Sequence, residues 1–209
     1  MKFANKGFSL IELLIASSVG LIAIGIVGSV FLSGYQAANK RSLELLLQQD
    51  VNDAFRLIKE DTLRAGFNYN EGKSLRLFKD NGVSYADNII YTTNNCIAYT
   101  YMDSDEVQKY NVFYLKDNMI KYKSVSASQT TNVICDVSNA NSLLYEKQIT
   151  VSDFKIEHKE ISSASATSQL IKITLAAHLK NDDSVSTAKS IQIKIRNWHN
   201  PISTASATR

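Results

Sequence analysis

The stretch that decides the fold lies near the amino terminus, where residues 7–35 read GFSLIELLIASSVGLIAIGIVGSVFLSGY. From Phe8 to Leu32 the one charged side chain is Glu12. As an α-helix this run is about 37 Å long, and the hydrocarbon core of a bilayer is about 30 Å thick. A carboxylate in such a segment costs roughly 2.5–3.5 kcal/mol on insertion scales. The pattern therefore predicts a membrane-spanning helix in which Glu12 has a function.

The seven residues before this run form a short basic leader. Lys2 and Lys6 precede the apolar run, so the positive-inside rule predicts a cytoplasmic amino terminus and export of the rest of the chain. A secretory signal carries its small-residue cleavage site after the apolar region, whereas Gly7 stands before it. Cleavage between Gly7 and Phe8 would remove the leader and keep the helix on the mature protein.

The sequence KGFSLIEL at residues 6–13 resembles the class III signal of type IV pilins and of type II secretion pseudopilins. The resemblance implies that a prepilin peptidase cleaves after Gly7 and methylates the new amino terminus at Phe8. It also implies an assembly role for Glu12, the fifth residue of the mature chain. The alternative is an ordinary single-span anchor in which the acid occurs by chance. Major pilins usually carry a proline in mid-helix, where this chain has Ser29.

The position of Glu12 suggests a physical role that does not depend on the resemblance. Cleavage places a cationic amine on Phe8, one helical turn away. The helix dipole favours an anion near the amino end, but the surrounding lipid does not. A neighbouring subunit that brought its terminal amine to Glu12 would neutralise both charges in a medium of low dielectric constant. We therefore expect Glu12 to favour lateral assembly.

The helix is expected to continue through residues 36–66, because 36–65 contain neither proline nor glycine. Apolar side chains recur there every three or four residues, which predicts one apolar stripe. The stripe consists of Leu43, Leu47, Val51, Ala54, Phe55, Ile58 and Leu63. Gly66 supplies a stop, with Arg64 in the last turn. A free coiled coil is a weaker alternative, because the stripe is wider than a heptad seam.

Residues 67–209 alternate apolar and polar side chains, which predicts a β-rich globular domain that ends in a mobile tail at 201–209. The predicted strands are Ser74–Phe78, Asn88–Thr92, Cys96–Met102, Glu106–Leu115, Met119–Val125, Thr131–Cys135, Ile149–His158, Gln169–Leu179 and Val185–Arg196. The last two strands form a hairpin whose apolar face should lie on the amphipathic helix. The expected division is 8–35 as the transmembrane and assembly helix and 36–66 as its amphipathic periplasmic half. The resemblance to pilins then implies the α+β pilin fold, one long helix packed on an antiparallel sheet domain.

Two cysteines, Cys96 and Cys135, fall in the part predicted to face the periplasm. An even number in an oxidising compartment favours a disulfide, and two unpaired buried thiols are the alternative. In the chain-entropy model, a closed loop of about 40 residues contributes on the order of 3–4 kcal/mol.

Residues that support catalysis or metal binding are scattered along the chain. The histidines at 158, 178 and 199 lack metal-ligand spacing, and no nucleophile is paired with a base. We therefore expect no enzyme activity, no metal and no cofactor. The sequence Asp103-Ser104-Asp105-Glu106 offers oxygen ligands for calcium but lacks the rest of an EF-hand loop. An acidic turn before a strand is the favoured interpretation.

A group of tyrosines and lysines raises the question of DNA contact by stacking and charge. The group consists of Tyr99, Tyr101, Tyr110, Tyr114, Tyr122, Lys109, Lys121 and Lys123. Tyrosine is also favoured in strands, and lysine at sheet edges. The formal charge of +3 falls to +1 without Lys2 and Lys6, so we do not expect direct contact with nucleic acid.

Two further segments resemble PilW-type minor pilins, the counterparts of J-type minor pseudopilins of type II secretion. They are EDTLRAGF at residues 60–67, with its acid–x–x–basic–Ala-Gly-aromatic pattern, and IQIKIRN at 191–197. The resemblance implies a single-pass protein of the bacterial inner membrane that later lies at the pilus tip. There it would join other minor pilins and the major pilin in a priming complex that starts assembly by the inner-membrane machinery.

Two alternatives stay open. One is a J-type minor pseudopilin of a type II secretion system, which would share the fold and the signal. The other is a tip subunit that binds a ligand, as an adhesin or a DNA receptor does.

Overall fold

The computed structural model describes residues 9–70, 74, 75, 77, 89–126, 135–162 and 167–197 of the 209-residue chain. It comprises, in chain order, α1 (Leu10–Thr62), β1 (Ile90–Thr93), β2 (Cys96–Met102), β3 (Gln108–Lys116), β4 (Met119–Ser126), β5 (Asn141–Ser142), β6 (Ile149–Ser162), β7 (Thr167–Leu179) and β8 (Asp182–Lys194). The chain divides into two compact units, Met1–Leu45 and Leu46–Arg209. The fold class is α+β, with one long helix followed by antiparallel sheets, as predicted.

Helix α1 ends at Thr62, four residues before the predicted stop at Gly66. The backbone tightens after Thr62, where the amide of Arg64 donates to Asp61 O at 3.0 Å and that of Ala65 to Thr62 O at 3.1 Å. Gly66 then has φ +76° and donates its amide to Thr100 O of β2 at 2.8 Å. The prediction that Arg64 lies in the last helical turn is therefore wrong, because bonding to β2 draws the chain out of the helix.

The strands form two antiparallel sheets, with the orders β1-β2-β3-β4-β5 and β6-β7-β8. Most predicted strands are confirmed with shifted ends. The predicted strand Ser74–Phe78 is wrong at its described residues, since Leu75 donates its amide to Gly66 O at 2.9 Å instead of joining a sheet. The two-residue β5 was not predicted. The predicted strand Thr131–Cys135, apart from Cys135 itself, and the tail at 201–209 lie outside the described residues.

The five-stranded sheet is buried on both faces at its centre. One face carries Tyr99 and Phe113, each with no exposed surface. The opposite face carries Cys96, Ala98 and Val112, which pack with Leu77 and with partly buried residues that include Cys135. Cys96 and Cys135 form the predicted disulfide, so that the bond fastens the chain around residue 135 to this second face.

The three-stranded sheet buries one face in the alternation that the sequence predicts. Its buried side chains are Ile149, Val151, Phe154, Ile156, Ile171, Ile173, Leu175, Ala177, Leu179, Val185, Ile193 and the adjacent Ile195. In α1 the buried residues are Leu47, Val51, Ala54, Phe55, Ile58 and Thr62, which confirms the central part of the predicted stripe. Lys189 Nζ of β8 donates to Asn52 Oδ1 of α1 at 2.8 Å. The hairpin of β7 and β8 thus faces this part of the helix, as predicted.

Candidate assembly site

The first part of α1 exposes an apolar surface. Large apolar side chains from Leu10 to Leu32 are each between 57 and 77 % exposed. By length and composition this segment suits a membrane span. A soluble monomer rarely exposes so large a contiguous apolar surface, which marks a site of contact with lipid or with another protein.

Glu12 lies in the first turn of this helix and is exposed. The turn is already closed there, because Leu13 donates its amide to Ser9 O at 3.2 Å. Gly7 and Phe8, the predicted cleavage and methylation positions, lie outside the described residues. The proximity of Glu12 to the new amino terminus therefore stays a prediction.

The hydroxyl groups within the apolar segment bond to the helix itself. Ser17 Oγ donates to Leu14 O at 3.0 Å, and Ser18 Oγ also donates to Leu14 O. Ser29, at the place where major pilins usually have proline, donates to Ile26 O at 2.8 Å, and the helix continues unbroken through it. These bonds satisfy hydroxyl groups that would be costly to leave unpaired in lipid.

A polar cluster lies at the other end of α1, where Asp61 faces β2. Tyr99 donates its hydroxyl to Asp61 Oδ2 at 2.5 Å, and Tyr101 donates to Asp61 Oδ1 at 3.2 Å. Burial raises the pKa of Asp61 despite these two bonds, which act in the opposite direction. Burial, followed by the charge of Asp61, raises the pKa of Tyr101 to about 12 and that of Tyr99 well above its usual range.

Arg64 extends this cluster to the turn between β2 and β3. Its guanidinium carbon lies 5.7 Å from the centre of the Tyr101 ring, and its Nη1 lies 3.4 Å from Asp103 Oδ2. Lys109 Nζ lies 3.5 Å from Asp103 Oδ2 and 2.9 Å from Asp105 Oδ2. The stretch Asp103-Ser104-Asp105-Glu106 is thus a turn whose two aspartates are ion-paired with cations of this chain.

Gly66 completes the contact between the helix end and the sheet. A Cβ atom there would lie 2.6 Å from Ile89 Cγ2, and the φ of +76° disfavours any other residue. Asn197 Nδ2 donates to Ala65 O at 3.2 Å and lies 3.5 Å from Leu63 O. The two segments that resemble PilW-type minor pilins, 60–67 and 191–197, therefore meet at this point of the fold.

The partnership of Asp61 with Tyr99 and Tyr101 was missed by the sequence analysis. The available signal was the acid of the pattern at 60–67 together with two tyrosines of equal parity in a predicted strand. The structure also uses the tyrosines considered for DNA contact in another way. Tyr99, Tyr101, Tyr110 and Tyr114 are each at most 5 % exposed, so their rings do not form a surface on which bases could stack.

In comparison with known proteins, the chain matches two family models. The prokaryotic N-terminal methylation motif matches residues 2–28, and the family of prepilin peptidase-dependent protein B matches residues 40–195, about three quarters of the chain. Neither the curated proteins nor the solved structures include a match.

These two matches identify the class of protein to which the exposed helix belongs. The first match covers the predicted class III signal and confirms the resemblance to type IV pilins. The second identifies the prepilin peptidase as a partner, and the apolar helix is consistent with membrane anchoring. The chain is a protein of the pilin and pseudopilin type, and it belongs to the family of prepilin peptidase-dependent protein B.

Proposed function

We propose that this protein is a minor type IV pilin, part of a tip complex that initiates pilus assembly. The observation that carries the proposal is the exposed apolar surface of α1, in which Glu12 is the one charged group between Leu10 and Leu32. Such a surface is stable in lipid and, within a filament, against the equivalent helices of other subunits. A carboxylate at its amino end then finds its natural partner in the terminal amine of a neighbouring subunit.

The proposed sequence of events begins in the inner membrane. The precursor inserts with its amino terminus in the cytoplasm and its sheet domain in the periplasm. The prepilin peptidase cleaves between Gly7 and Phe8 and methylates Phe8. The new amine and Glu12 guide docking with other minor pilins and with the major pilin, and the inner-membrane machinery extends the filament from that complex. The role is structural rather than catalytic and uses no cofactor.

The minor rather than major role is supported by two segments of the sequence. Residues 60–67 and 191–197 resemble those of PilW-type minor pilins, and they hold one structural junction through Asn197 and Ala65. A junction built from both segments gives a physical reason for them to occur together. This supports placement of the chain with subunits of that type.

The test is a count of surface pili in cells that lack this protein, complemented by wild type, by Glu12→Ala or by Glu160→Ala. Glu160 is an exposed acid on β6 and serves as the matched control. We expect few or no pili in the deletion, restoration by wild type and Glu160→Ala, and no restoration by Glu12→Ala. Immunoblots of membranes check that each variant accumulates and is processed.

Other outcomes would redirect the proposal. Normal pilus numbers combined with a loss of protein secretion would favour the J-type minor pseudopilin. Normal pilus numbers combined with a loss of adhesion or of DNA uptake would favour a ligand-binding tip subunit. Full restoration by Glu12→Ala would overturn the assembly role of the acid.

A further inference from the structure

A groove runs between α1 and β8 within the unit Leu46–Arg209. Its volume is about 330 Å³, and its lining residues are Asn52, Phe55, Arg56, Lys59, Glu60, Leu63 and Ile191. Phe55 is buried, while Ile191 and Leu63 are partly exposed. The groove therefore has an apolar floor with polar and charged groups along the helix.

The strand that forms one wall of the groove is the edge of its sheet. In the described part of the chain, β8 pairs with β7 on one side and no strand pairs with its other side. The strand is 13 residues long. The face of β8 that is turned toward the core, called its inner face here, is only partly buried. Toward its end Ile193 is buried, whereas Thr187, Lys189 and Ile191 on the same face stay partly exposed. An edge strand of this length offers backbone donors and acceptors to another extended segment.

The charges at the groove favour an acidic occupant. Arg56 and Lys59 line it, and Glu60 is the one carboxylate among its lining residues. Lys189 adds a further cation nearby, because its Nζ donates to the lining residue Asn52. Arg56 lies 3.4 Å from Asp53, but its side chain is 70 % exposed and remains accessible. The excess of cations opposes pairing with another basic edge and attracts a segment that carries carboxylates.

We propose that this groove receives an extended, acidic segment of a different pilin-type subunit, which adds a strand to β8 and places an apolar side chain against Phe55, Leu63 and Ile191. The inference rests on the proposed assembly function and names the surface of the folded domain that meets the neighbour. The carboxyl-terminal residues of this chain fit less well, because 198–209 contain no Asp or Glu. A second copy of the same edge is an unfavourable partner, because it would bring another Lys189 toward the cations at the groove.

The test places a photo-crosslinking amino acid at residue 191 of the full-length chain, in cells that make their own pilins. The matched control is residue 192, the next residue of β8, which is exposed on the opposite face of the sheet. After irradiation, mass spectrometry identifies the crosslinked peptide. We expect an adduct from residue 191 and none from 192, with the attached peptide belonging to another subunit that has a class III signal and containing Asp or Glu.

A charge variant tests the recognition itself. Arg56→Gln should lower the yield of the adduct from residue 191 about five-fold or more, as expected for loss of a charge contact at an interface. Lys155→Gln, which removes a similar exposed cation paired with Glu157 on β6, should leave it unchanged. Immunoblots check that each variant accumulates in the membrane.

Each contrary result overturns the inference. An adduct to residues 198–209 of the same chain would assign the groove to the tail, and one to a second copy would assign it to self-association. No adduct at residue 191, equal adducts at 191 and 192, or an equal loss with Lys155→Gln would show that the groove is not the docking site. The pilus count with Glu12→Ala is read independently, so failure of this inference and failure of the assembly role are distinguishable.

Discussion

Two regions of one helix treat apolar side chains in opposite ways. From Leu10 to Leu32 the large apolar residues are at least 57 % exposed, whereas the buried stripe from Leu47 to Ile58 is at most 5 % exposed. The first region is apolar on all sides and the second is apolar on one stripe, although both belong to α1. The sheets of this chain cover the second region. In the described part of the chain nothing covers the first, and under the proposed function lipid or other subunits do so.

The largest expected effect comes from truncating a buried side chain in the second region of α1, with the same truncation in the exposed first region as the control. Ile58 has no exposed surface and Ile24 is 71 % exposed. We expect Ile58→Ala to lower the free energy of unfolding of the sheet domain by about 2–5 kcal/mol, through lost burial and the cavity left behind. Ile24→Ala should leave it unchanged. The measurement is urea unfolding of the full-length chain in detergent, followed by near-ultraviolet circular dichroism, and equal losses would refute the comparison.

Removal of the disulfide tests how far the stability of the sheet domain depends on the face of the five-stranded sheet that carries Cys96. The double variant Cys96→Ala, Cys135→Ala should lose roughly 2–4 kcal/mol, because it frees a loop that the bond closes over a sequence separation of 39 residues. The same unfolding measurement checks it. The wild-type chain in reductant is the control and should approach the double variant. Unchanged stability in both would show that packing around Leu77 and Val112 holds this segment without the bond.

Much of this contrast could be predicted from the sequence, because it depends on local periodicity. The apolar run, the place of Glu12 and the stripe through Val51 and Ile58 are visible as spacing. Among contacts between distant residues, the disulfide was predictable because two cysteines allow one pairing, but polar side-chain contacts were not. Asp61 meets Tyr99 across 38 residues, and nothing in the spacing of either residue indicates which of several tyrosines the acid will meet.

The helix end shows the same limit. Glycine at position 66 indicated a stop, but the helix ends earlier because Gly66 bonds to Thr100 O of β2, a long-range contact. The groove beside β8 was also missed, since its lining residues, such as Phe55 and Ile191, are far apart in the sequence and only the fold brings them together. The elements could therefore be predicted from the sequence, whereas the contacts of the helix end and the groove beside β8 became visible only in the fold.

Gly66 offers a substitution at the end of the helix, where the chain meets the sheet. Gly66→Ala should cost about 1–3 kcal/mol, because alanine is strained at a φ of +76° and its Cβ would lie 2.6 Å from Ile89 Cγ2. Gly28→Ala is the matched change in the exposed region, where a Cβ meets nothing within 4 Å, and should leave the sheet domain unaffected. Urea unfolding of both variants in detergent measures the difference. A neutral Gly66→Ala would show that Ile89 and the turn adjust without cost.

The smallest expected effect is a fall in the stability of the sheet domain at alkaline pH, caused by the buried tyrosines of β2 that bond to Asp61 of α1. The pKa of Tyr101 is raised from 10.0 to about 12 by burial and by Asp61, so the unfolded chain loses this proton first. The stability that the protonated hydroxyl provides is fully present below pH 10 and falls as the pH rises toward 12, by about 1 kcal/mol near pH 11. Tyr101→Phe should be less stable than wild type at pH 8, because Asp61 loses a donor, and its stability should decline less steeply between pH 10 and 12.

The measurement is a set of urea unfolding curves at these pH values for Tyr101→Phe, for wild type and for Ile24→Ala, which should follow the wild-type profile. Parallel declines of Tyr101→Phe and wild type would mean that the tyrosine hydroxyl near Asp61 ionises in the folded protein as readily as in the unfolded chain.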